Sequence, residues 1–356
     1  MSENLIFLAG EKALARIRSG GLESESVNIL AGAAGGPKWL VLSALDRFLS
    51  SWLIKKRKTP LRLIGSSIGA WRFAAYSMND PRRSLDLFEN EYIHQRYDHR
   101  PTPDEVTSES YRIFDAFTGR NGASEILANP HMRLNVLSVR CRWPLSSDRT
   151  LPLALGLSAA ALLNLFRRRW TGAFFERSLF HDPRDFTALF SADGFTFHSI
   201  ALNERNLRAS LMASGSIPLV MSRVADIPGA PPGSYRDGGL IDYHLDLPFR
   251  SDGGIVLFPH YLDRIVPGWF DKQIPWRAHT PANFENVLLL CPSRDFTARL
   301  PYGKIPDRDD FFRFYKRDRE RIAYWKAVAG AGEMLRDEFQ EAVDSGSIRR
   351  LVRPMR

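Results

Sequence analysis

Short apolar runs alternate with helically spaced apolar positions through the first part of the chain. Val27-Asn28-Ile29-Leu30-Ala31 reads as a buried strand and is followed by a glycine-rich turn. Between Trp39 and Trp52, the apolar residues Leu40, Leu42, Leu45, Phe48, Leu49 and Trp52 recur with helical spacing. Leu61-Arg62-Leu63-Ile64 predicts a second strand, and Ala70 to Ala75 a second helix. Strand and helix in alternation predict an α/β protein, with a mostly parallel sheet carrying helices on its faces.

Further along, Leu134 to Val139, Phe195 to Leu202, Ile255 to Phe258 and Val287 to Cys291 read as strands. Asn206 to Ser214 reads as a helix that ends at Gly215, and Gly229 to Gly233 as a turn. An apolar and basic insertion, about residues 140–180, interrupts this pattern. Within it Leu151 to Phe166 is almost wholly apolar and stops at Arg167-Arg168-Arg169. As a helix it would be about 24 Å long, against a bilayer core of about 30 Å. A buried helix or one lying in a membrane interface is therefore expected in preference to a crossing, and the insertion is also a candidate lid. After Pro306 the chain turns charged and helical, with Phe311, Phe312, Phe314, Tyr315, Ile322 and Trp325 as apolar positions. The expected division is a main domain over 1–305 and a helical C-terminal extension over 306–356.

Composition narrows the class. Hydrophobic residues make up 44% of 356, enough for a large core, and 25% charged residues exclude a disordered chain. Cys141 and Cys291 are far apart and have neither disulfide nor zinc spacing, which suits a reducing, cytoplasmic compartment. Leu5 to Ala9 is too short for a signal-peptide core. The net charge of +9 is partly clustered, in Lys55-Lys56-Arg57-Lys58 and in the arginine triplet. Such clusters attract polyanions. No zinc-finger, RRM or KH pattern favours nucleic acid, so the expected anionic partner is a membrane surface, with the protein peripheral to its inner face.

Three features carry candidate chemistry. Gly65-Ser66-Ser67-Ile68-Gly69 lies between a predicted strand and a predicted helix, the setting in which G-x-S-x-G forms a nucleophile elbow. The turn Ala31 to Trp39 contains Gly35-Gly36-Pro37-Lys38; it has neither the P-loop nor the dinucleotide pattern, and suits an oxyanion hole. Asp237-Gly238-Gly239 follows a turn, and its aspartate is placed either to act as a base or to orient a histidine.

A glycine-rich turn with a basic residue, then G-x-S-x-G, then D-G-G resembles the patatin-like phospholipases. Met212-Ala213-Ser214-Gly215-Ser216-Ile217-Pro218 is similar to the block that precedes the aspartate in that family. The resemblance implies a three-layer α/β/α sandwich, lipid acyl hydrolase activity on lipid or phospholipid esters, and no metal or cofactor. It implies Ser67 as nucleophile, Asp237 as general base, and oxyanion N–H groups from Gly35, Gly36 and Ile68, with Lys38 at the basic position. Gly65, Gly69, Gly238 and Gly239 complete the motifs. Ala34 stands where the family has its first glycine, Trp39 stands at another glycine position, and Asp242-Tyr243 stand where Asn-Pro often follows. These departures bear on specificity. Two other readings stay open: a Ser–Asp–His triad using His244, His260 or His279, and a non-catalytic lipid-binding protein on the same fold.

Overall fold

The computed structural model describes residues 3–185 and 188–355. Eleven strands among these residues form one sheet: β1 (Leu5–Ala9), β2 (Val27–Gly32), β3 (Leu61–Ser66), β4 (Met132–Cys141), β5 (Phe175–His181), β6 (Phe197–Ala201), β7 (Val224–Ala225), β8 (Ser234–Asp237), β9 (Ile255–Pro259), β10 (Val287–Pro292) and β11 (Arg353–Pro354). The order is β11-β1-β10-β9-β2-β3-β4-β5-β6, with β8 also on β4 and β7 on β8. From β10 through β9, β2 and β3 to β4, every pairing is parallel. Antiparallel pairs, β1 with β10 and β4 with β5, flank that centre. Strands β9 and β10 are buried along their whole length, as expected of parallel strands covered by helices on both faces. The architecture is the expected α/β sandwich, with a mixed sheet whose parallel centre carries the site.

Three sequence expectations are refined. The first turn after the glycines is a 3-10 helix, Gly36–Leu42, and the α-helix occupies Ser43–Trp52. The sheet does not pause over the whole insertion, because β5 pairs with β4 from Phe175 onward. The strand was obscured by Glu176 and Arg177, which are buried but neutralised: Arg177 holds Asp242 through two bonds of 2.7 Å and Asp193 through bonds of 2.7 and 2.8 Å. The helical segment after 306 is present, with a long helix over Asp318–Asp344. Its Trp325, Leu335 and Phe339 lie in the main hydrophobic core, and β11 pairs with β1, so the segment is built into the same body.

The helix that follows the serine elbow, Ile68–Tyr76, is buried along its whole length. Its Arg72 meets the buried Asp46 of helix Ser43–Trp52 at 2.7 and 2.6 Å, and Tyr76 donates to the same carboxylate at 2.9 Å. Pairing of this kind offsets the cost of taking both charges out of water. The pair locks the elbow helix to its neighbour, so the elbow sits on a rigid support.

Candidate active site

Strand β3 ends at Ser66, and the chain turns sharply at Ser67 before the helix begins. Ser67 has φ 55° and ψ −127°, a strained conformation for a residue with a side chain. The helix comes very close to the sheet here. A Cβ on Gly69 would lie 2.1 Å from the carbonyl oxygen of Gly32, so no larger residue fits without moving the helix.

Two chain segments meet at this point because they share one neighbour. Ser66 of β3 lies opposite Leu137 of β4, and Asp237 of β8 lies opposite the next residue, Ser138. Strand β8 thus occupies the edge of β4 that β3 vacates when it turns at the elbow. Ser67 Oγ donates to Asp237 Oδ2 at 2.7 Å, across a sequence separation of 170 residues. Asp237 Oδ1 accepts from the Gly239 N–H at 2.7 Å. Both side chains are buried, at 6% and 7% exposure. Burial pushes the Asp237 carboxyl above its ordinary range, against the opposing pull of Ser67, the Gly239 N–H, Arg308 and Lys272.

The block from Met212 to Pro218 holds both partners in place. Ser214 Oγ accepts from the Ser67 N–H at 2.8 Å and donates to the Leu137 carbonyl at 2.6 Å. The Ser216 carbonyl accepts from the Asp237 N–H at 3.0 Å. One helix end, Leu207–Gly215 and the residue after it, therefore fixes the backbone of the serine and of the aspartate.

Gly35 and Gly36 line the same cavity as Ser67 and Asp237, a space of about 190 Å³. Gly35 has φ 155° and rests on Tyr261, whose phenolic oxygen would be 2.6 Å from a Cβ at that position. The N–H of Ala34, at the family's glycine position, is committed to the Tyr243 carbonyl at 2.9 Å, and Pro37 has no N–H. The Gly36 N–H opens a helix and has no preceding turn to bond to, and Ile68 opens the elbow helix in the same way. Lys38 also lines the cavity, its ammonium 5.2 Å from the Tyr261 ring centre.

The histidines of the alternative triad reading lie elsewhere. His244 is fully buried; its Nε2 bonds the Tyr261 hydroxyl at 2.8 Å and its Nδ1 accepts from the Val266 N–H at 2.9 Å. Tyr261 in turn donates to the Ala34 carbonyl, so His244 supports the glycine turn from behind. His260 is buried with Nδ1 accepting from the Leu262 N–H, and burial pushes it down to about 3. His279 packs against Phe284. None of the three lines the cavity. Among the described residues no group of His, Cys, Asp and Glu is arranged to hold a metal ion.

Sequence reasoning missed Trp269, Lys272 and Arg308, which wall the cavity together with Tyr243, one of the two residues at the departure after Asp237-Gly238-Gly239. Trp269 and Lys272 lie in a short 3-10 helix, Trp269–Gln273, and Arg308 in a turn, all outside any motif, and no local signal marks them. The insertion about 140–180 contributes no lining residue, so it does not act as a lid over this cavity. Its apolar helix, Thr150–Phe166, lies on the surface, with Leu153, Gly156, Leu157, Ala160 and Asn164 turned inward. Leu151, Leu155, Leu162 and Phe166 are 70, 62, 59 and 65% exposed. Among the described residues no helix is long and apolar enough to cross a membrane. Two residues of the basic clusters are structural. Arg57 is buried on the carbonyls of Leu53, Ser24 and Val27, and Arg168 turns inward to within 3.8 Å of Asp242. Asp242, at a departure from the family pattern, serves the buried pair with Arg177 and does not reach the cavity.

The patatin-like phospholipase profile matches residues 33–256. The chain belongs to this family. The profile ends before Trp269, Lys272 and Arg308, so part of the cavity wall lies outside the matched region. Among solved structures, the crystal structure of VipD from Legionella pneumophila aligns with 12% identity and a TM-score of 0.29. The alignment covers 66% of this chain, which spans half the length of that one. No curated protein matches the chain significantly.

Proposed function

We propose that this patatin-like protein hydrolyses a carboxylic ester of a lipid through a Ser67–Asp237 dyad. The observation that carries this reading is the 2.7 Å hydrogen bond from Ser67 Oγ to Asp237 Oδ2 on a strained, rigidly supported turn. A serine hydroxyl needs a base, and a buried carboxylate with a raised pKa is a stronger base than one in water. As Oγ attacks the ester carbonyl, its proton passes to Asp237. The carbonyl oxygen becomes an oxyanion facing the N–H groups of Gly35, Gly36 and Ile68, each worth about 3 kcal/mol in the transition state. The intermediate collapses, and Asp237 returns the proton to the departing alkoxide. Water then cleaves the acyl-enzyme with the same carboxylate as base, releasing the fatty acid and free Ser67.

The exposed apolar face of helix Thr150–Phe166, with Trp170 and the exposed Arg167 and Arg169 beside it, suits an anionic bilayer. The helix is tied to the cavity wall, since Asn164 donates to the buried Asp271 at 2.7 Å, next in sequence to Lys272. Docking on that face would bring the cavity to lipid.

The test is labelling with a fluorophosphonate probe together with fatty-acid release from mixed lipid vesicles. Labelling and release by the wild type, both lost in Ser67→Ala, are expected. A protein that binds vesicles and takes up no probe is a non-catalytic lipid binder, and the proposal fails.

A further inference from the structure

Lys38, Lys272 and Arg308 come from three separate stretches of chain and line the cavity that holds Ser67 and Asp237. Each is half-buried, and none is in an ion pair among the described residues. Several other enclosed cations are neutralised by carboxylates, Arg72 by Asp46, Arg177 by Asp193 and Asp242, and Arg236 by Asp148, while Arg57 is satisfied by backbone carbonyls. At the two lysines of the cavity, aromatic rings stand in place of a carboxylate. The Lys272 ammonium lies 4.1 Å from the ring centre of Tyr243 and 5.6 Å from that of Trp269, and Lys38 lies 5.2 Å from that of Tyr261. Rings hold a cation in position without cancelling its charge.

The acidic groups facing the same space leave an excess of positive charge. Asp237 is engaged with Ser67, and Asp307 is paired with Lys304 at 3.0 Å. Asp309 lies at the exposed rim. Three cations thus face one uncompensated inner carboxylate. The surplus matches a phosphate monoester, which carries about −1.5 to −2 at neutral pH, better than a carboxylate. It is a poor match for a phosphodiester capped by its own ammonium group. Size points the same way. At about 190 Å³ the cavity is smaller than the roughly 300–1,000 Å³ pockets that enclose whole drug-sized ligands. It has room for a reacting ester and a compact polar group, with the acyl chain left outside.

We propose that Lys38, Lys272 and Arg308 form a subsite for a phosphate monoester on the alcohol part of the scissile ester, so that acylated alcohol phosphates are preferred over zwitterionic or uncharged lipids. The inference rests on the reading of Ser67 as nucleophile. Lys272 and Arg308 lie outside the family match, so this subsite belongs to this chain's own cavity wall. Burial, the largest influence, lowers the Lys272 pKa; Arg308 and Lys38 act in the same direction, and the Tyr243 hydroxyl opposes them.

The experiment compares kcat/KM of the full chain on 1-acylglycerol 3-phosphate, 1-acylglycerol and 1-acylglycerophosphocholine of one chain length in the same neutral detergent micelles. The phosphate monoester is expected to lead. Lys272→Gln and Arg308→Gln, each checked for an unchanged circular dichroism melt, should each lower the phosphate-to-uncharged ratio about ten- to a hundredfold, the worth of one hydrogen bond to a charged group. Equal rates on the three lipids, or a ratio unmoved in both variants, overturns the subsite. Calorimetric titration of Ser67→Ala with glycerol 3-phosphate and with inorganic phosphate separates the sources and needs no turnover. Binding of glycerol 3-phosphate that is lost in Lys272→Gln supports the subsite even if no ester is hydrolysed and the hydrolase reading falls. Tighter binding of inorganic phosphate than of glycerol 3-phosphate marks a site for the free ion and refutes the proposal.

Discussion

Replacing Asp237 with asparagine separates the base from the scaffold. The shape of the side chain is kept. Oδ1 of Asp237 accepts from the Gly239 N–H at 2.7 Å, so the amide of the variant is oriented with its oxygen there. Its NH2 group then faces Ser67 Oγ, where the carboxylate oxygen now accepts at 2.7 Å. An amide NH2 donates and cannot take a proton, so Ser67 loses its base while keeping its position. General-base catalysis is worth up to about 10⁴, and the corresponding aspartate-to-asparagine change in a serine triad costs about the same. At about 1.36 kcal/mol per decade, this is roughly 5.5 kcal/mol of transition-state stabilisation. Folding should not suffer. The folded carboxyl is raised above its unfolded value, so its stabilising contribution belongs to low pH and is lost as pH rises through the folded pKa. Wherever the buried carboxyl is ionised it is a net burden on folding, and the neutral amide removes it. Steady-state kinetics on a lipid ester should therefore show kcat/KM down about 10⁴-fold, with a melting temperature equal to or above the wild type's. Activity within tenfold of the wild type would refute Asp237 as base. A large fall in melting temperature would make it a structural residue.

Because Asp237 must be ionised to act, the acid limb of kcat/KM should lie above the ordinary carboxylate value near 3.9, and Lys272→Gln, by removing a charge that favours the anion, should move it higher; a limb that moves lower contradicts the electrostatics. Ser214→Ala takes the acceptor from the Ser67 N–H and should lower kcat about tenfold to a hundredfold with little change in KM, read on the same ester; an unchanged kcat means the elbow needs no such anchor. Arg177→Met leaves Asp242 and Asp193 without their cation and should cost about 3–5 kcal/mol in urea unfolding, whereas a loss below 1 kcal/mol would show the pair to be dispensable. Arg167→Gln with Arg169→Gln should weaken co-sedimentation with anionic vesicles roughly thirtyfold at about 1 kcal/mol per charge, and equal binding to zwitterionic vesicles would exclude this docking face.

Local sequence determined what short-range physics controls. Apolar runs such as Leu61 to Ile64 and Val287 to Cys291 have few ways to be buried other than as central strands, and they are such strands. Gly65 to Gly69 between a strand and a helix encodes a bend that only small residues permit, and the bend is there. Charged residues misled where a distant partner cancels the cost of burial. Arg177 hid β5, and Arg57 and Arg168 look like surface charge in the sequence but serve interior acceptors. Which carboxylate meets Ser67 was decided by tertiary structure, because β3 and β8 reach consecutive positions of β4 from opposite directions. The same holds for the three cations around the cavity. Their positions follow from long-range packing of two 3-10 helices and a turn, and the field they create depends on distances of a few ångström that no spacing along the chain encodes.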